Sequence, residues 1–152
     1  MTSTPDELRE NPGYQLWLVT NAWQRALRKA LHPLGLTHVQ FAVLASVARL
    51  QGGTSLVTQS DVCRAGSLDP NMASDVVRSL ESRGWVSRRE HPNDRRAHRL
   101  ELTLEGERMY HEGRAVVMPV KEAFFAPLGD QESKRLAAML ETLARATEDD
   151  GR

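Results

Sequence analysis

The stretch from Thr58 to Thr103 constrains the fold most, because it sets two helix starts, a glycine stop and a strand pair in close succession. Thr58-Gln59-Ser60-Asp61 offers an acceptor cap and an acidic first turn for a short helix ending at Ala65-Gly66. Val57 and Val62 occupy the hydrophobic-staple positions around that cap. Asp69 then caps a longer helix with Pro70 at its first position, a buried side of Val76, Val77 and Leu80, and Gly84 as its stop. A short helix, a glycine-containing turn and a longer helix form a helix-turn-helix arrangement. Trp85–Arg89 and the alternating Arg99–Thr103 read as two strands joined by the turn chemistry of His91-Pro92-Asn93-Asp94.

Helices flank this region on both sides. Leu16, Thr20, Trp23, Leu27, Ala30, Leu31 and Leu34 recur at three- and four-residue spacing from Tyr14 onward, until Pro33 and Gly35 end the pattern. Thr37-His38-Val39-Gln40 is a capping box, with Leu36 and Phe41 as its staple, and that helix runs to Leu50 before Gly52-Gly53. Thr103 caps a helix through Met109, Val116 and Val120, which Pro119 should kink or break. Asp130 is placed as the cap of a last helix with Leu136, Leu140 and Leu143 on one face. Residues 1–11 read as a flexible arm and 147–152 as a flexible tail. The expected fold class is mainly α with a small β-hairpin wing: a dimeric winged helix-turn-helix of about six helices.

Charge singles out the hairpin. The chain is neutral, with twenty basic and twenty acidic side chains, which by itself argues mildly against nucleic acid. Residues 83–99 differ: Arg83, Arg88, Arg89, Arg95, Arg96 and Arg99 against Glu90 and Asp94 leave a net charge of +4. Arginine forks suit phosphates and narrow grooves. A basic hairpin alone is usually solvated surface. Directly after a helix-turn-helix it points to double-stranded DNA as the partner.

Other function classes find little support. The one cysteine, Cys63, allows no internal disulfide and reads best as a small buried residue rather than a redox switch. The polar, acidic N-terminus carries no signal-peptide core, and no apolar run approaches the roughly 18 residues of a membrane span. A cytoplasmic protein with no membrane partner is expected. His32, His38, His91, His98 and His111 are scattered, and no catalytic, phosphate-loop or paired-cysteine motif is present. The expectation is therefore no enzyme, no metal and no cofactor. A winged-helix protein-interaction module without specific DNA binding is the alternative, and pairing of the hairpin arginines with Asp94, Glu90 and Glu101 would favour it.

The chain resembles the MarR family of bacterial transcriptional regulators. The resemblance rests on Leu34-Gly35-Leu36-Thr37, Gln40–Leu44, Thr58–Asp61, Leu80–Val86, Asp94-Arg95-Arg96-Ala97 and Leu102–Gly106 in this order, within residues 14–146. It implies a triangular homodimer, with residues 12–36 and 104–146 as the helical dimerisation region and 37–103 as the winged DNA-binding domain. It also implies a repressor or activator tuned by a small ligand, here a small aromatic or phenolic effector, or by oxidation.

The resemblance further places Asn71, Met72, Ser74, Asp75 and Arg78 in the major groove. Asn can read adenine and Ser can contact a base or phosphate. Met72 stands where Thr or Ser is frequent, and Asp75 where basic or neutral polar residues are common. Asp75 either accepts from a cytosine amino group or pairs with Arg78 at i,i+3. In the wing, Asp94 resembles the family's structural acid and would hold Arg96 by a charge-assisted hydrogen bond. Arg95 or Arg96 would enter the minor groove, with Arg88 and Arg99 on phosphates. Tyr14, Trp17, Trp23, His38 and Phe41 are the candidates for an effector pocket; ordinary packing between subunits is the competing reading.

Overall fold

The computed structural model describes residues 5–53, 56–66 and 68–149. Among them, seven α-helices and one two-stranded sheet follow in order: α1 Pro5–Glu10, α2 Pro12–Leu31, α3 His38–Gln51, α4 Gln59–Gly66, α5 Pro70–Ser82, β1 Val86–His91, β2 Asp94–Leu102, α6 Leu104–Phe125 and α7 Gly129–Asp149. Single 3-10 turns at His32–Leu34 and Ala126–Leu128 follow α2 and α6. No single helix among the described residues is long and apolar enough to cross a membrane.

The helix starts follow the cap chemistry. Asn11 accepts from the Tyr14 N–H at the head of α2. At α3, Thr37 Oγ1 accepts from Gln40 N–H while the Gln40 side chain accepts from Thr37 N–H, completing the expected box. A second reciprocal box opens α4: the Asp61 carboxylate accepts from Thr58 N–H at 2.9 Å, and Thr58 Oγ1 accepts from Asp61 N–H at 3.2 Å. Asp69 Oδ1 takes both the Asn71 and Met72 N–H groups at α5. Each box satisfies donors that the helix itself cannot.

The structure corrects the sequence reading at several points. Pro5–Glu10 is helical where a loose arm was expected, and α7 continues through Thr147 to Asp149; residues 1–4 and 150–152 lie outside the described residues. Pro119 lies inside α6, which is continuous across it; one missing N–H does not end a helix whose other ladder bonds hold. Asp130 stands in the first turn of α7, not at its cap, where its carboxylate still favours the helix N-terminus.

The chain forms two compact units that meet at Val117/Met118, within α6. In the first, residues 5–117, one core contains Leu31, Leu36, Val43, Leu44, Val47, Val57, Val62, Val77, Leu80, Val86, Leu100 and Met109. The first half of α6 belongs here because Met109, Gly106 and Gly113 are buried. Gly106 admits no side chain, since a Cβ would fall 1.8 Å from the Trp85 carbonyl oxygen. Thr103 completes this corner, donating from Oγ1 to Gly84 O at 2.6 Å and accepting from Gly106 N–H at 3.0 Å. In the second unit, the end of α6, its 3-10 turn and α7 enclose an open apolar groove of about 720 Å³ lined by Met118, Phe125, Leu136, Ala137 and Leu140.

Candidate nucleic-acid interface

Helix α5 buries Ala73, Val77 and Leu80 and exposes Asn71, Met72, Asp75 and Arg78, with Ser74 half-buried. Arg78 donates to the Asp75 carboxylate at 2.5 Å and to Ser74 O at 3.5 Å. The intrahelical pair therefore forms, and it cancels the one positive charge on this face. Both members are well exposed, so the pair contributes little to stability. Behind the helix, Gln40 Nε2 donates to Ser79 Oγ at 3.1 Å. Arg83 donates to Gly35 O at 2.8 Å and covers the Trp85 ring at 4.6 Å. These long-range contacts tie the far half of α5 to the corner between α2 and α3. Gly35 turns that corner in the left-handed region, at φ 65°.

The hairpin departs from a plain ladder at its tip. Val86 to Glu90 pair in register with Leu102 to His98, and His91 then pairs with Asp94. Arg95, Arg96 and Ala97 are left without counterparts on β1, forming a bulge. Bulges re-aim side chains and leave ladder groups unpaired. Arg96 N–H, freed in this way, donates to Asp94 Oδ1 at 2.9 Å. Asp94 thus holds Arg96 by a charge-assisted hydrogen bond, made to its backbone N–H.

The register also sorts the arginines. Residues directly opposite in an antiparallel pair share a face. Arg88 opposes the buried Leu100, is half-buried, and its Nε has no hydrogen-bond partner. Arg99 opposes Arg89 and is ion-paired with Glu101, again with a buried Nε lacking a partner. Beside this pair Gln51, Leu56 and Val57 line a small polar cavity. Arg88 and Arg99 are therefore the half-buried arginines of the hairpin. Arg89, Arg95 and Arg96 are exposed, and none carries an ion pair among the described residues. Arg89 was counted in the basic run but singled out for no role; its exposure emerges only in the folded chain, where it stands opposite the half-buried Arg99.

Two stacked pairs include aromatic candidates. Tyr14 and Trp17 stack on α2 with centroids 6.0 Å apart, and Trp17 is 60% exposed. Phe41 stacks on Tyr110, a partner absent from the sequence reading, at 6.4 Å. A Cβ on Gly113 would lie 2.6 Å from the Phe41 ring. Trp23 and His38 are half-buried. Cys63 is half-buried rather than fully buried, and burial pushes its thiol pKa up. No group of three or more His, Cys, Asp or Glu among the described residues is placed to hold a metal ion.

Comparison with known proteins agrees with this geometry. A family model described as the MarR family matches residues 34–97. An uncharacterised HTH-type transcriptional regulator of Bacillus subtilis, YdcH, is 36% identical over 123 residues, covering 81% of this chain and 84% of its own. The crystal structure of CouR from Rhodococcus jostii RHA1 bound to p-coumaroyl-CoA superposes with a TM-score of 0.80 at 29% identity, covering 90% of this chain and 94% of that one. A MarR variant from E. coli complexed with operator DNA gives a TM-score of 0.79 at 25% identity, covering 93% and 99%.

Proposed function

This chain belongs to the MarR family, and from that premise we propose that it represses transcription as a homodimer gripping a pseudo-palindromic operator with α5 and the wing. It is a DNA-binding transcriptional regulator, of a family that works by binding rather than catalysis. The observation that carries the site assignment is the bulged hairpin tip, where Arg95 and Arg96 stand free of internal carboxylates while Asp94 holds the backbone. Arg96 and Arg95 supply the groove and phosphate contacts of the wing, with Arg89 on the strand beside them. Asn71, Met72 and Ser74 supply the base-facing edge of α5, and the Asp75–Arg78 pair adds no net attraction.

The homodimer is supported by apolar surface that a single chain leaves open. Tyr14, Leu16, Trp17, Leu18 and Val19 are exposed on α2, and Met139, Leu140 and Leu143 on α7. Such contiguous apolar surface marks interaction sites. A second copy covers both faces. Sedimentation equilibrium at micromolar concentration should give twice the chain mass.

The effector is an aromatic small molecule, taken up beside Tyr14, Trp17, Trp23, His38 and Phe41. The p-coumaroyl-CoA bound to CouR supports an aromatic acyl class. The protein acts in the cytoplasm, where its operator is. A mobility-shift titration with duplex DNA from beside its own coding region is the test. The expected result is a salt-sensitive shift, released by p-coumaroyl-CoA. Absence of any shift at low salt would leave the protein-interaction module as the function.

A further inference from the structure

The first turn of α5 presents two neighbouring side chains of opposite character, Asn71 and Met72. Asp69 caps the backbone N–H of both, which fixes the turn that carries them. The Asn71 amide has no side-chain partner among the described residues, so its donor and acceptor are available. Met72 is 49% exposed, a large apolar side chain on a face otherwise made of Asn71, Asp75 and Arg78. The other strongly exposed large apolar residues of the α-helices lie on α2 and α7, the faces assigned above to a second copy, and at Leu104, the first residue of α6. Met72 is the strongly exposed large apolar residue of α5, the helix assigned to DNA.

The major groove offers one apolar feature, the C5-methyl group of thymine. It also offers adenine's N6 donor and N7 acceptor, which match a carboxamide. Asp75 and Arg78 are occupied with each other, which leaves Asn71 and Met72, beside the half-buried Ser74, as the side chains to read bases. We propose that Met72 is a specificity-determining residue that packs on a thymine methyl, beside an adenine read by Asn71, so that each half-site contains an A·T step at this position. The proposal rests on the assignment of α5 to the major groove. A thioether fits this role well, since Met is flexible and polarisable and adapts to an apolar contact.

Deoxyuridine differs from thymidine only by that methyl group. The full-length protein is used to enrich a binding sequence from a randomised duplex pool, and each thymine of the enriched site is then replaced by deoxyuridine. The wild type should lose affinity roughly fourfold for a single replacement at either of two symmetry-related positions, the loss expected for one methyl-sized group. Met72→Ala should bind more weakly to the thymine duplex and show no loss on deoxyuridine replacement. Met72→Leu should retain the loss. Thermal melting of each variant checks that the half-exposed substitution leaves the fold intact. If the wild type is insensitive to every replacement, or Met72→Ala keeps the sensitivity, the proposal fails while DNA binding stands. If the wild type enriches no sequence, base reading by α5 fails altogether.

Discussion

The Asp94 carboxylate accepts a hydrogen bond from the backbone N–H of Arg96 at 2.9 Å, where β2 has left its ladder with β1. The bond satisfies a donor that the bulge strips of its strand partner, and it leaves the Arg96 guanidinium free. Brace and tip are therefore separable. Arg96→Ala should weaken operator binding by at least about tenfold at moderate salt, because a charge-assisted groove contact is lost. Asp94→Ala should weaken it through disorder of the bulge, and Asp94→Asn should restore much of the loss, since a carboxamide oxygen still accepts from Arg96 N–H. Fluorescence anisotropy with labelled operator checks the order. Equal losses for Asn and Ala at position 94 would mean that the negative charge, and not the acceptor, matters.

Salt dependence separates the free arginines from the occupied ones. Each phosphate contact contributes roughly 0.9 to the slope of log affinity against log salt. Because the homodimer carries each residue twice, Arg89→Ala and Arg95→Ala should each lower that slope by about two. Arg99→Ala should leave it unchanged, because Arg99 is already paired with Glu101. A slope change for Arg99 equal to that for Arg89 would place both on phosphates and break the assignment drawn from exposure and ion pairing.

Gly106 has no room for even one carbon beside the Trp85 carbonyl. Gly106→Ala should therefore destabilise the protein by about 3 kcal/mol or more, since overpacking against backbone cannot be relieved by a rotamer change. Gly113→Ala meets the Phe41 ring instead and should cost less, because an aromatic side chain can shift. Urea unfolding of both variants ranks them. The reverse order would mean that the start of α6 yields more easily than the aromatic pair.

Cys63 provides a test of chemistry that the protein should not perform. Burial raises its thiol pKa, which lowers the thiolate fraction at neutral pH. Iodoacetamide should label native protein more slowly than a free thiol in a short peptide, with its pH profile displaced upward. Fast labelling at pH 7 accompanied by loss of DNA binding would instead identify an oxidant-responsive switch.

Local chemistry was legible in the sequence, and long-range chemistry was not. Thr37 with Gln40, and Asp69 with Pro70, are cap signals within a few residues, and the structure uses each where expected. The hairpin was legible from turn residues and alternation, but its bulge was not, because register depends on the whole ladder. Exposure separates Arg89, Arg95 and Arg96 from the half-buried Arg88 and Arg99, a difference that charge counting cannot see. Arg83 reaching Gly35, Gln40 reaching Ser79 and Phe41 stacking on Tyr110 join residues far apart in sequence. No periodicity encodes such pairs. The Asp75–Arg78 pair was one of two open readings, and its i,i+3 spacing made it accessible.

The second capping box ties stability to pH with a definite sign. Asp61 has its carboxyl pKa lowered, first by the side-chain hydrogen bond from Thr58, then by the Thr58 backbone N–H, with Arg64 adding a smaller charge effect. A carboxylate whose pKa is lower folded than unfolded contributes stability above its unfolded pKa and loses it as pH falls through the folded value. The contribution should therefore be complete at neutral pH and decline from the ordinary carboxylate range downward. Asp61→Asn removes the titration while keeping an acceptor, so its stability should fall less steeply with acid than that of the wild type. Thr58→Ala removes the other half of the box and should cost about 1 kcal/mol at pH 7. That loss should shrink in acid, because protonated Asp61 no longer holds the pair. Thermal melts of the three proteins between neutral pH and pH 3 provide the check. Parallel acid curves for wild type and Asp61→Asn would show that the acid sensitivity arises elsewhere in the fold, and that the start of α4 is held by Val57 and Val62 packing rather than by its cap.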